Sequence, residues 1–292
     1  MFENDRVVYL SLQKTGCTHI QYLLRKHIGE PGKSGPQQCR QSTARVLKRL
    51  LGVQSGKHEP MTDKVGGRTV IGSVRNPWDW YVSQWSYGCS RQGALHRELT
   101  QPSYKRLFRL GIDCLIGSVQ PTTRGRVRKS SDWGSLYGDS NDVDLFRRWL
   151  RKIFSVEGKL DLPEGYAQSG ISRFAGFMSF RFCRLYVEND VWIERNKNID
   201  SFPMLRSIFE SHSIVTGTVR MESLESDLVA ILKQAGYEIE VDDLWEREKT
   251  NTSAHRPWPE YYDDELLDKV RQQDRFLVEQ FGYDAGNIGS EH

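Results

Sequence analysis

The stretch that most constrains this chain runs from Val7 to Leu24, VVYLSLQKTGCTHIQYLL. Val7, Val8, Tyr9 and Leu10 form a β-branched and aromatic run of the kind that makes a buried parallel strand. Ile20, Leu23 and Leu24 recur at helical spacing. Between the two, Gln13-Lys14-Thr15-Gly16-Cys17-Thr18 has room only for a short turn. A strand, a tight turn and a helix together make an anion site. The turn amides and the helix N-terminus aim unpaired N–H groups at one spot, and the helix dipole adds partial positive charge there. Lys14 brings a full charge to the same place, Gly16 lets an oxyanion approach the backbone, and Thr18 stands where a cap would. The alternative is an ordinary strand-to-helix turn with an exposed lysine. The pattern G-x-x-x-x-G-K-[ST] is not met, because Leu10, Ser11, Leu12 and Gln13 occupy the glycine-rich positions. That argues against a nucleoside triphosphatase and leaves open a grip on a different phosphoanhydride.

A second strand–helix unit lies downstream. Glu30 to Lys64 is rich in Gly, Pro, Gln and Ser and reads as a surface excursion. Thr69-Val70-Ile71-Gly72-Ser73-Val74 is then a strand running into Arg75-Asn76-Pro77-Trp78-Asp79-Trp80-Tyr81-Val82-Ser83. Pro77 suits the first position of a helix and Asn76 its cap. Trp78, Tyr81, Val82 and Trp85 line one helical face. Arg75 and Ser83 can converge on one phosphate, the arginine with a fork of donors and the serine with its hydroxyl. Against this stands a simple pairing of Arg75 with a carboxylate such as Asp79, with Ser83 facing solvent.

The rest of the composition sets limits. The 292 residues carry 41 basic and 38 acidic side chains, and a net charge of +3 is too mild to imply nucleic-acid binding. Five cysteines, at positions 17, 39, 89, 114 and 183, form no C-x-x-C pair, so neither a disulfide framework nor a zinc site is expected, and a reducing, cytoplasmic setting is. No signal peptide is read at the N-terminus. No apolar run approaches the ~18–20 residues that span a bilayer.

Lys14 in Q-K-T-G-C-T, followed by V-R-N-P-W-D-W-Y-V-S, resembles the sulfotransferases that use 3′-phosphoadenosine 5′-phosphosulfate (PAPS), in particular the bacterial and carbohydrate type. In that family a P-K-T-G-T-T-like loop holds the 5′-phosphosulfate and an R-N-P-x-D-x-x-x-S unit holds the 3′-phosphate. Gln13 stands here in place of the usual proline, and Cys17 in place of a frequent Thr or Gly. The resemblance continues in Arg220-Met221-Glu222-Ser223-Leu224, similar to the family's strand–R-x-E-x-L–helix unit. It continues also in a C-terminal helix carrying Leu266, Leu267, Val270, Phe276, Leu277 and Phe281.

The resemblance implies a three-layer α/β fold with a mainly parallel sheet flanked by helices, P-loop NTPase-like. One domain spans 1–284, with a helical insertion at 88–180 and a polar tail at 285–292. It implies PAPS as co-substrate, 3′,5′-adenosine bisphosphate (PAP) as product, and a hydroxyl acceptor, in the first instance a saccharide. Lys14, Thr15, Gly16, Cys17, Thr18 and His19 fall on the phosphosulfate loop, and Arg75 and Ser83 on the 3′-phosphate unit. In some relatives the loop before the last helix touches the nucleotide, which adds Ser253 and Arg256. His58 and Glu59, just before the second strand, are the candidates for the general base, His58 first because an imidazole accepts a proton near neutrality. The loop carrying them enters its strand from the edge opposite the anion sites unless it folds back. No metal is expected, since the transferring group carries less charge than a γ-phosphate and no aspartate ends a strand to hold magnesium. The insertion itself resembles no known segment: its surplus of arginines reads by default as a solvated basic face, and the sharper expectation is that Trp133, Tyr137, Trp149 and Tyr166 build the acceptor site with those arginines. A P-loop-type kinase and a non-catalytic nucleotide-binding protein are the competing readings.

Overall fold

The computed structural model describes residues 1–29, 67–100, 131–244 and 255–285. Four strands, β1 (Phe2–Glu3), β2 (Val7–Tyr9), β3 (Thr69–Val74) and β4 (Gly217–Arg220), lie side by side in that order. β1 is antiparallel to β2, with Phe2 opposite Tyr9. β2, β3 and β4 are parallel, with Val8 beside Val70 and Ser73 beside Val219. The fold is therefore α/β around a mixed sheet. Side chains alternate across it. Val8, Val70 and Val74 enter one apolar core, whereas Val7, Tyr9, Ile71 and Val219 enter a second. Burial on both faces is why these strands read as continuous apolar runs. Upstream of β4, Ile214 N–H donates to the Tyr186 carbonyl at 2.8 Å, and pairing with β3 begins at Thr216, whose N–H donates to the Val70 carbonyl.

The helices described are α1 (Cys17–Ile28), α2 (Pro77–Cys89), α3 (Ala94–Thr100), α4 (Ser131–Gly134), α5 (Val143–Phe154), α6 (Val156–Asp161), α7 (Phe177–Tyr186), α8 (Asn189–Arg195), α9 (Phe202–His212), α10 (Leu224–Gln234), α11 (Val241–Leu244), α12 (Asp264–Gln273) and α13 (Arg275–Phe281). The smaller core is closed by α1, through Ile20, Leu23 and Leu24, and by α10, through Leu224, Leu228 and Leu232. The larger core is built around α2. Asn76 caps that helix, its side-chain oxygen accepting from the N–H of Trp78 at 3.0 Å, and Pro77 opens it. Trp78, Tyr81, Val82 and Trp85 are buried as the pattern required, and so is Trp80. Each of the three indoles finds a carbonyl: Trp78 reaches Leu267, Trp80 reaches Gln13 and Trp85 reaches Leu136. Among the described residues no helix is long and apolar enough to cross a membrane.

Two expectations are corrected. Trp133, Trp149 and Tyr166 do not offer a surface to a sugar ring. They lie inside the larger core at 2% exposure or less, and the Tyr137 hydroxyl accepts from the Trp149 indole at 2.8 Å. The reason is amphipathicity: α5 turns Phe146, Trp149, Leu150 and Ile153 inward together. The C-terminal helix is also not continuous. It breaks at Asp274, whose buried carboxylate accepts from the N–H and hydroxyl of Ser179 and from the Tyr81 hydroxyl, each at 2.8 Å.

Candidate functional site

Because β2, β3 and β4 are parallel, their carboxyl ends open on one edge, where ligands of such sheets collect. The turn after β2 is unusual there. φ is +68° at Lys14 and +70° at Gly16, with Thr15 between them on the negative side. Alternation of this kind turns successive amides toward one point and makes a nest for an anion. The first intrahelical bond of α1 runs from Ile20 N–H to the Gly16 carbonyl, so the amides of Cys17, Thr18 and His19 have no acceptor within the helix. Gly16 itself is the cap, with no side-chain cap bond, and Thr18 lies exposed in the first turn. The capping role expected of Thr18 is thus not found. Gly16 is also demanded by packing, since a β-carbon there would stand 2.5 Å from Met221 Sδ.

A left-handed lysine costs about 1–2 kcal/mol, so something must hold it. The Thr15 hydroxyl donates to the Leu12 carbonyl at 2.8 Å and lies 2.6 Å from Ser73 Oγ on β3. Ser73 Oγ in turn meets the Tyr9 hydroxyl, and Ser73 N–H donates to Tyr186. From the other side, the Trp80 indole donates to the Gln13 carbonyl and Arg181 Nη1 to Gln13 Oε1, both at 2.8 Å. Arg181 is itself buried and paired with Glu164. None of these supports was read from the sequence, because each joins residues far apart in it.

Lys14 and Arg75 meet beside α2, the helix that carries Ser83. Asp79, Ser83 and Tyr87, spaced by four, form one stripe of that helix. At one end Arg75 donates from Nε to Asp79 Oδ2 at 2.6 Å and from Nη1 to the Lys14 carbonyl at 3.3 Å. At the other end the Lys14 ammonium sits 4.0 Å from the centroid of the Tyr87 ring. Between them Ser83 is fully buried, and its hydroxyl has no hydrogen-bond partner. The alternative pairing of Arg75 with Asp79 is therefore present, but it leaves further N–H groups of the guanidinium for a ligand. Burial, and then the nearby Arg75 charge, pull the pKa of Lys14 down to about 8.

The third strand end contributes a brace. Glu222 Oε1 accepts from Asn76 N–H at 2.6 Å and Oε2 from the Tyr283 hydroxyl at 3.1 Å, and burial pushes this carboxyl above its ordinary pKa. Arg220 is forked onto Asp227 at 3.0 and 3.1 Å. The R-x-E-x-L segment thus ties β4 to the start of α2 through its charged side chains, while Met221 and Leu224 pack against Gly16 of the Lys14 turn.

The side chains of the remaining candidates have other surroundings. His19 is buried, with Nε2 4.0 Å from Glu225 on α10. Arg256 is half exposed, and its nearest carboxylate is Glu260 at 3.7 Å. No hydrogen bond or ion pair joins Arg256 to Lys14, Arg75 or Ser83 among the described residues. His58, Glu59 and Ser253 lie outside the described residues. Two surface clefts are lined by residues other than Lys14, Arg75 and Ser83. One, of about 540 Å³, lies between Phe174, Phe202, Arg206 and Arg275. The other, of about 400 Å³, runs along Thr216–Thr218 beside Ile231. No protein-family model, no curated protein and no solved structure matches the chain.

Proposed function

We propose that the chain is a sulfotransferase that moves the sulfuryl group of PAPS to a hydroxyl, in the first instance of a carbohydrate, in a cytoplasmic setting. The observation that carries the reading is the Lys14 turn and the Arg75–Ser83 unit on one sheet edge, with the Ser83 hydroxyl buried and unpartnered between them. In this reading the amides of the turn and Lys14 hold the 5′-phosphosulfate. Arg75 and Ser83 hold the 3′-phosphate, which satisfies the hydroxyl that is otherwise left without a partner. The acceptor oxygen bonds to sulfur in line as the bond from sulfur to the 5′-phosphate oxygen breaks, and PAP leaves. The acceptor proton passes to a base, for which His58 and Glu59 remain the candidates. Lys14 stabilises the leaving oxygen as negative charge grows on it.

Calorimetry without magnesium tests the proposal. PAP should bind more tightly than ADP, and Arg75→Ala should reduce that preference by at least about tenfold, because loss of one hydrogen bond to a charged group costs ~1.5–3 kcal/mol. Equal affinity for the two nucleotides would overturn the two-phosphate reading, and magnesium-dependent ATP binding in its place would mark a kinase. Radiolabelled PAPS offered with an array of hydroxyl acceptors then identifies the acceptor.

A further inference from the structure

Lys14 makes no salt bridge among the described residues, although a carboxylate is close. Asp79 is occupied by Arg75 Nε at 2.6 Å. The lysine backbone is left-handed at φ +68°, and the preceding residue Gln13 is tethered to Trp80 and Arg181. It lies on the ring of Tyr87, with Nζ 4.0 Å from the centroid. That ring is half-buried and one edge of it faces Gly93, where a β-carbon, at φ +90°, would stand 2.9 Å from Tyr87 Cδ1.

We propose that Tyr87 is the positioning residue for the Lys14 ammonium, its ring face holding the charge at the turn without neutralising it. A carboxylate partner would cancel the charge that an anionic ligand needs. The quadrupole of an aromatic ring attracts the ammonium and leaves its charge intact. The charged and titratable groups that act on Lys14 come from three elements. Arg75 at the end of β3 opposes its protonation, whereas Asp79 on α2 and Cys17 on α1 favour it. The Tyr87 ring works in the same direction as the last two. The role in turnover rests on the sulfotransferase reading, but the placement of the charge does not.

The test measures Lys14 directly in the intact protein. Acetylation of its amine by acetic anhydride is followed against pH by mass spectrometry of the Lys14 peptide. The wild-type midpoint is expected at about 8. Tyr87→Phe keeps the ring face and should keep the midpoint. Tyr87→Leu removes the quadrupole and should lower the midpoint by about half a pH unit to one unit. Tyr87→Met gives the same reading if the leucine variant does not fold. In a PAPS assay Tyr87→Leu should lower kcat by about tenfold or more while PAP affinity stays within a few-fold. An unmoved midpoint in the leucine or methionine variant overturns the proposal. A phenylalanine variant that moves as far as leucine overturns it too, as does a moved midpoint with kcat unchanged. A wild-type protein that binds no PAP would overturn the sulfotransferase reading while the midpoints still decide whether Tyr87 holds the charge.

Discussion

A hydroxyl that is fully buried and without a partner, as at Ser83, costs about 1–3 kcal/mol relative to one that is satisfied. Retaining it makes physical sense where a ligand completes the bond. Ser83→Ala should therefore leave the protein as stable as before or more stable by up to ~1 kcal/mol, and weaken PAP binding by about tenfold. Paired thermal unfolding and calorimetry check this. A variant that is less stable and binds PAP as well as wild type would make Ser83 a packing residue only. Lys14, Arg75 and Ser83 could be picked out from the sequence because their signals are local: a lysine in a strand-to-helix turn, and an arginine and serine flanking a proline-started helix. Tyr87 could not. Its position follows from Ser83 by one helical turn, but that it faces Lys14 depends on how α2 docks on the turn.

At the scale of elements, the turn and helix α2 depend on one another. Gly16 bears both a left-handed φ of +70° and a close approach to Met221. Gly16→Ala should destabilise the protein by about 1–3 kcal/mol, from backbone strain plus displacement of the methionine. With Met221→Ala as the background the clash is gone, so urea unfolding of the double variant against Met221→Ala alone should show a remaining loss of ~1 kcal/mol. Full recovery would show that the backbone conformation at residue 16 costs an alanine nothing. The elements read correctly were those with local punctuation. β3 spans Thr69–Val74 as its apolar run required, and α2 begins at the Asn76-Pro77 pair. The break at Asp274 was missed because Leu266, Val270 and Leu277 keep helical spacing across it. The buried fate of Trp133, Trp149 and Tyr166 was missed because aromatics beside arginines look alike whether they line a site or fill a core. In both cases tertiary packing, which leaves no local mark, decided the outcome.

Among the described residues of the molecule, one acid, Asp274, lies at the heart of the larger core. Asp274 joins the α12–α13 break to α7 through Ser179 and to α2 through Tyr81, so three parts of the fold share one carboxylate. Burial raises its pKa, outweighing the hydrogen bonds and the Lys159 charge that favour ionisation. The folded protein therefore holds this proton to a higher pH than the unfolded chain, whose aspartates titrate at about 3.9. Its contribution to stability is fully present below that value and is lost as pH rises through the folded pKa. Asp227, Asp263 and Glu279, paired with arginines, have lowered pKa values and slope the other way: their stabilisation is present above the unfolded pKa and fades on acidification. The Asp274 effect must therefore be read as a difference. In Asp274→Asn the amide oxygen can still accept from Ser179, and the amide nitrogen can donate to Tyr81, but nothing titrates. Urea unfolding of both proteins between about pH 4 and pH 7 should show the wild type losing ground steadily to the asparagine variant as pH rises. A constant difference across that range would mean that Asp274 binds the same number of protons in the folded protein as in the unfolded chain, and that the buried acid places no pH dependence on the fold.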